Sequence, residues 1–251
     1  MQPIIFQTQF FTLYSLWLFF AIGIVVTTYY LIHLSIKNRM KIQFLSENSW
    51  SIILVALLGA RIVSVLTNFN IYFYKISFDS FFNLFAIWDK GLSIWGAIIA
   101  GLLYLHYLCK KEDQDFYKWL DVIIPSIILG LAIGHLGNFF DGAAYGRETS
   151  LPWGVNFENP SIKYAVPIHP TQIYAFIYSL TLFIVSTHIS KPAKDGIIGL
   201  GAITVYAFFR FLEEFVRGDD IWMLGNIRIS QIAALIITII SATLLYKRFK
   251  K

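Results

Sequence analysis

Four residues late in the chain fall at helical spacing: Tyr206, Arg210, Glu214 and Arg217. Residues three and four apart share one helix face, so a phenol, two guanidiniums and a carboxylate project together. An arginine inside an apolar segment costs about 2.5–3.5 kcal/mol to insert, so it takes a partner or lines a wet cavity. Two readings fit. The Arg210–Glu214 pair can fix a helix bundle, or the arginines can form an anion site, since guanidinium grips phosphate bidentately. A second stretch, residues 134–147, mixes Gly and Ala with His135, Asn138, Asp141 and Arg147 directly after an apolar run. A helix interior disfavours that mixture. A long helix is therefore expected to end here and open into a polar segment, which at a membrane edge needs cover from protein or water. His169-Pro170 supplies a third group. Pro suits a first helical turn, and the imidazole beside it is either an interfacial cap or a proton-transfer group. Cys109 is the only cysteine, which excludes an intrachain disulfide and a cysteine-based metal site. No metal-ligand spacing is visible, so neither metal nor cofactor is expected.

The elements that must position these groups are apolar. The chain is 57% hydrophobic and 14% charged, with mean hydropathy +0.64, against roughly 25% charged residues in a soluble domain. The expected fold class is an all-α polytopic membrane protein. Seven runs are long enough to span, at about 17–25 residues each: 12–35, 48–68, 92–109, 117–138, 169–189, 196–216 and 229–246. The first has no Lys or Arg before it and no small-residue cleavage site after it, so it reads as a retained span. Of the 20 Lys and Arg, twelve fall on one set of connections and six on the other. Arg61 and Arg210 lie within spans. The positive-inside rule then puts the N-terminus outside and the C-terminus in the cytoplasm. The net charge of +5 reports topology; no basic stripe interleaves with aromatics, and no nucleic-acid partner is expected.

Helix arithmetic places Arg61 and Arg210 roughly 20 Å along their spans from the inner side, and Asn138 about 30 Å along. Tyr14, Trp95, His169 and Gln231 fall at outer span ends. The polar residues thus gather in one outer layer. A transporter would string them along a path and show internal repeats; the sequence shows neither. The whole chain, 1–251, is expected to be one transmembrane domain. The aromatic-rich 69–91 stretch reads as an interfacial arm or as a plain aromatic belt beside the span ends, and 139–168 as a small extracytoplasmic cap.

In order along the chain, several motifs resemble the prolipoprotein diacylglyceryl transferase family. The family pattern G-R-x-[GA]-N-F-[LIVMF]-N-x-E-x-x-G is matched by Gly134, Gly137, Asn138, Phe139, Phe140 and Gly146. His135, Asp141 and Ala143 stand where that pattern has Arg, Asn and Glu. Gly59-Ala60-Arg61, Ile87-Trp88-Asp89-Lys90-Gly91, Gly146-Arg147, Leu151-Pro152-Trp153-Gly154, His169-Pro170-Thr171-Gln172-Ile173-Tyr174 and the Tyr206 to Arg217 series are also family-like. Trp95-Gly96-Ala97 departs from the family's His-Gly-Gly.

The resemblance implies transfer of a diacylglyceryl group from phosphatidylglycerol to the lipobox cysteine thiol of a preprolipoprotein signal peptide. The expected place is the outer leaflet of the bacterial plasma membrane, with glycerol phosphate leaving. The implied partners are phosphatidylglycerol, the signal peptide and membrane lipid. On that reading Arg210 binds phosphate, Glu214 orients it, Tyr206 donates to a lipid oxygen and His169 is a catalytic candidate. Asn138, His135, Arg61, Gly137, Gly146, Arg147 and Tyr14 are expected around the phospholipid. The competing reading is a homologue that binds phospholipid or signal peptide without turnover.

Overall fold

The computed structural model describes residues 3–67, 92–157, 162–189, 194–219 and 223–250. The arm expected over 69–91 lies outside them. Seven helices occur among the described residues: α1 Ser15–Lys37, α2 Ile42–Thr67, α3 Ile94–Lys111, α4 Phe116–Asp141, α5 Thr171–His188, α6 Ile197–Glu213 and α7 Ile229–Lys250. Each overlaps one expected span. Four of them, α1, α2, α4 and α7, are long and apolar enough to cross a membrane. The chain is a multi-pass membrane protein. Two short antiparallel hairpins accompany the helices among the described residues. The first joins β1 Ile4–Gln7 to β2 Thr12–Tyr14, and the second joins β3 Met223–Leu224 to β4 Ile227–Arg228. The first hairpin takes residues expected at the start of span one, because Thr8 closes its turn by accepting from Phe11 N at 2.9 Å.

The described residues fall into two compact units, 1–38 with 117–251 and 39–116. In the first, α4 is central. Half of its apolar window is buried, against 11% for α1 and 22% for α7. Small residues let the neighbours close on it. A Cβ on Gly130 would sit 2.1 Å from Thr27 Oγ1, one on Gly137 2.8 Å from Phe19 Cβ, and one on Gly199 of α6 2.6 Å from the Leu120 backbone. Asp121 of α4 accepts from Gly196 N at 2.6 Å and Gly199 N at 2.7 Å, satisfying donors that the start of α6 would otherwise leave open. Thr204 of α6 donates to Ser241 of α7 at 2.9 Å.

In the second unit α2 and α3 run antiparallel in close contact. Ser93 N donates to Ala60 O at 3.0 Å, and Asn48 reaches Glu112 at 2.9 Å. A Cβ on Gly96 would lie 2.2 Å from Gly59 O, a backbone atom that cannot turn aside. Gly96→Ala is expected to destabilise the protein by about 1–3 kcal/mol, the usual cost of overpacking. At Gly101 the nearest atom to a new Cβ is 3.6 Å away. Gly101→Ala is expected to be neutral or stabilising, since Ala is the better helix former. Thermal unfolding of the two purified variants in detergent checks this; equal midpoints would refute the close-contact account.

Candidate active site

The stretch 134–147 does not leave the helix at Asn138. α4 continues to Asp141, because Phe140 stacks on Phe19 of α1 at 5.2 Å and Phe139 packs on Phe157 at 5.7 Å. Asn138 O accepts from both Gly142 N and Ala143 N at the helix end. Gly142 has φ +80°, the left-handed conformation glycine adopts without penalty. Ala144 has φ +58°, a region that costs an ordinary residue of order 1–3 kcal/mol and persists only where the surroundings enforce it. Here the start of α5 does so. Thr171 Oγ1 donates to Ala144 O and Gln172 Nε2 donates to Ala143 O, both at 2.7 Å.

Beyond this turn the backbone of 145–147 is held from two sides. Gly146 N donates to His169 O at 3.1 Å and His169 N donates to Arg147 O at 2.9 Å. On the other side Arg147 N donates to Val216 O at 2.8 Å and Gly218 N to Tyr145 O at 3.0 Å. A Cβ on Gly146 would come within 2.4 Å of His169 O, so the close approach requires glycine. Tyr145, Phe157, Ile162 and Ile168 form a small buried cluster above it. The segment expected as a cap therefore has its own core, and it docks the signature turn against Arg217.

At the end of α6 lies a buried charge cluster. Arg210 Nη1 is 2.5 Å from Glu213 Oε1, and its Nη2 is 2.5 Å from Glu214 Oε1. The second contact is an ion pair off hydrogen-bond alignment, since Glu214 Oε1 has no hydrogen-bond partner among the described residues. The other oxygen, Glu214 Oε2, accepts from Arg228 Nε at 2.5 Å. Arg228 also donates to Asp219 Oδ1 at 2.8 Å. Arg217 Nε donates to the same oxygen at 2.9 Å, while Arg217 Nη2 pairs with Asp219 Oδ2. Tyr178 of α5 donates to Glu213 Oε2 at 2.8 Å, and Tyr206 packs edge-on against the Tyr178 ring at 5.6 Å. Burial pushes the Asp219 carboxyl up, but its bonds to Arg217 and the charges of Arg217 and Arg228 outweigh that and hold it below its ordinary value. The stabilisation is present above the usual carboxylate range and lost as pH falls through the lowered value.

Three arginines face three carboxylates here, so the cluster is formally neutral. Glu214 has no side-chain exposure, whereas 16% of the Arg210 side chain is open. Guanidinium carries five N–H donors, and among the described residues a carboxylate accepts only from Nη1 of Arg210, with Nη2 held in the ion pair to Glu214. His135 of α4 lies within electrostatic reach of Arg210 and Arg217, and its Nε2 is buried with no hydrogen-bond partner among the described residues. Arg147 is exposed and donates from Nε to Arg217 O at 3.0 Å. His169 Nδ1 lies 3.2 Å from Tyr174 OH, which accepts from Trp153 at 2.8 Å. Burial lowers the His169 pKa from its usual value, which favours the neutral imidazole.

The structure thus brings together Tyr206, Arg210, Glu214 and His135, and joins the Gly146–Arg147 and His169 backbones beside them. Gly137 is packed against Phe19. Tyr14 caps α1 and is 43% exposed. Arg61, 5% exposed, belongs to the second unit and is buried there. Sequence reasoning missed Glu213, Tyr178, Asp219, Arg228 and Gln172. Glu213 was visible as the i+3 partner of Arg210. Arg228 and Asp219 follow α6 and share no helical period with it, so spacing carried no signal.

Fold and site define a multi-pass helical membrane protein with a buried arginine–carboxylate cluster at the end of α6. The chain belongs to the prolipoprotein diacylglyceryl transferase family: the family model of that description matches residues 3–247. It is similar to phosphatidylglycerol–prolipoprotein diacylglyceryl transferases from three organisms. The Finegoldia magna protein is 33% identical over 218 residues, covering 84% of this chain and 83% of that protein. The one from Clostridium botulinum (strain Langeland) is 33% identical, covering 78% and 77%. The Corynebacterium diphtheriae protein is 32% identical, covering 77% and 74%.

Proposed function

We propose that this enzyme moves a diacylglyceryl group from phosphatidylglycerol to the lipobox cysteine thiol of a preprolipoprotein signal peptide. The observation that carries the site reading is Arg210: two carboxylates fix its guanidinium, yet it keeps donors and an open edge. In the reaction the thiolate sulfur attacks the glyceryl carbon that bears the phosphodiester oxygen. An S–C bond forms, the C–O bond breaks, and glycerol phosphate leaves with the electron pair. Arg210 binds the phosphate as its charge grows, the kind of preorganised electrostatic contact that supplies much of catalysis. Glu214 and Glu213 orient Arg210, and Tyr206 donates to a lipid oxygen. His135, through its unpartnered Nε2, and Arg147 extend the headgroup site, with Asn138, Gly137, Gly146 and Tyr14 around the lipid. His169 accepts the thiol proton, because its neutral form is favoured and Tyr174 fixes its ring.

The decisive measurement is a gel-shift assay of a preprolipoprotein in cells depleted of their own transferase. Lipidation with release of glycerol phosphate is expected. Binding of phosphatidylglycerol or signal peptide with no shift would replace this reading by that of a non-catalytic homologue.

The proposed topology is seven spans in the plasma membrane, with the N-terminus and the 139–168 cap outside and the C-terminus in the cytoplasm. The unequal distribution of Lys and Arg supports it. After replacement of Cys109, an impermeant thiol reagent on spheroplasts is expected to label Ser150→Cys and spare Lys250→Cys. The reverse pattern would put the site on the wrong leaflet.

A further inference from the structure

Two adjacent carboxylates close α6: Glu213 is its last residue and Glu214 its C-cap. Acids there face the negative end of the helix dipole, and each repels the other. Both side chains are nevertheless buried, 4% and 0% exposed. Glu214 is compensated at close range by Arg210 and Arg228. Glu213 has Arg210 alone at close range, with Arg217 at 3.9 Å. An apolar side chain at 213 would fill the space with no ion to desolvate, an exchange that is often neutral or stabilising. Local preferences broken in this way are expected at functional sites.

Hydrogen bonding separates the two acids. Glu213 Oε1 accepts from Arg210 Nη1 at 2.5 Å, whereas Glu214 Oε1 meets Nη2 by charge and has no hydrogen-bond partner among the described residues. Hydrogen bonds are directional and fix the plane of a guanidinium; charge alone does not. Glu213 therefore sets the plane of Arg210, and Glu214 anchors it by charge. Glu213 is set in turn from the neighbouring helix, since Tyr178 of α5 donates to its Oε2 at 2.8 Å. Bonded at both oxygens, this carboxylate cannot rotate without losing a partner. The Tyr178 ring is itself held, stacked on Phe209 at 5.5 Å and edge-on to Tyr206 at 5.6 Å. Both of those rings belong to α6, the helix that carries the arginine.

We infer that Tyr178 is a positioning residue of the phosphate site proposed above: its hydroxyl acts through Glu213 to fix the plane in which Arg210 meets the phosphate of phosphatidylglycerol. This rests on the reading of Arg210 as the phosphate ligand.

Tyr178→Phe removes the hydroxyl and keeps the ring between Phe209 and Tyr206. The full-length parent, Tyr178→Phe, Arg210→Lys and the double variant are compared in detergent micelles, each below its thermal midpoint. Affinity for phosphatidylglycerol is measured without acceptor peptide, so the readout needs no turnover; affinity for a lipobox peptide is measured beside it. Tyr178→Phe is expected to bind phosphatidylglycerol about 10-fold more weakly, the low end for one charge-assisted hydrogen bond, and the peptide like the parent. Added to Arg210→Lys it is expected to change nothing, because the group it positions is gone. Parent-like phosphatidylglycerol binding by Tyr178→Phe, beside weakened binding by Arg210→Lys, would overturn the role of Tyr178 alone. Parent-like binding by Arg210→Lys would overturn the phosphate site with it. Losses that add in the double variant, or that fall equally on the peptide, would make Tyr178 a packing residue and overturn its positioning role.

Discussion

Arg210→Lys is expected to insert and fold like the parent and to transfer about 10- to 100-fold more slowly. A lysine keeps the charge but concentrates its donors at one point. It cannot hold Glu213 and Glu214 from separate nitrogens, as Arg210 does at 2.5 Å each, and still present a planar edge to phosphate. One lost charge-assisted hydrogen bond is worth roughly 1.5–3 kcal/mol. At about 1.4 kcal/mol per decade, that gives the range stated. The check is the initial rate of lipidation with purified protein, beside a thermal midpoint for the same sample. A parent-like rate would remove Arg210 from the phosphate site. A slow rate accompanied by a collapsed midpoint would assign it to the bundle instead.

The largest loss of stability is expected at Glu214. Its carboxylate has no exposed side-chain surface and lies 2.5 Å from both Arg210 and Arg228 and 3.9 Å from Arg217. Removing one member of such a buried set leaves charge without compensation and costs about 3–5 kcal/mol. Glu214→Ala should therefore unfold well below the parent in a detergent melt. The double variant Glu214→Ala, Arg228→Met should recover part of the loss, because the second change removes a cation left with less compensation. If the single variant melts with the parent, the network is not structural. If the double variant melts lower still, the loss arises from a cavity and not from charge.

The helices were legible because apolar length and helical period survive tertiary context. Their ends were less so. α2 starts at Ile42, six residues before the apolar run at 48, because polar residues extend it: Gln43 donates to Glu47 at 2.6 Å and Asn48 reaches Glu112. The hairpin of residues 4–14 went unread because it lacks a Gly- or Asn-based turn and its strands do not alternate apolar with polar residues. Within the site, the spacing of Arg210 and Glu214 placed them on one helix face, and the two groups meet. What spacing cannot give is the register of distant segments. Nothing in the sequence placed Tyr178 on Glu213, or drew Arg228 across to Glu214.

The balance of charges in this cluster has a consequence for how a lipid is found. Equal and alternating charges make a multipole, whose field dies away more steeply than that of a lone ion. Such an array does not concentrate anionic lipids from a distance, so capture should depend little on ionic strength, unlike encounters steered by a net charge. A headgroup is read only once it arrives by lateral diffusion. Discrimination between one phospholipid and another then rests on contact geometry at Arg210 rather than on the abundance of negative charge in the surrounding leaflet.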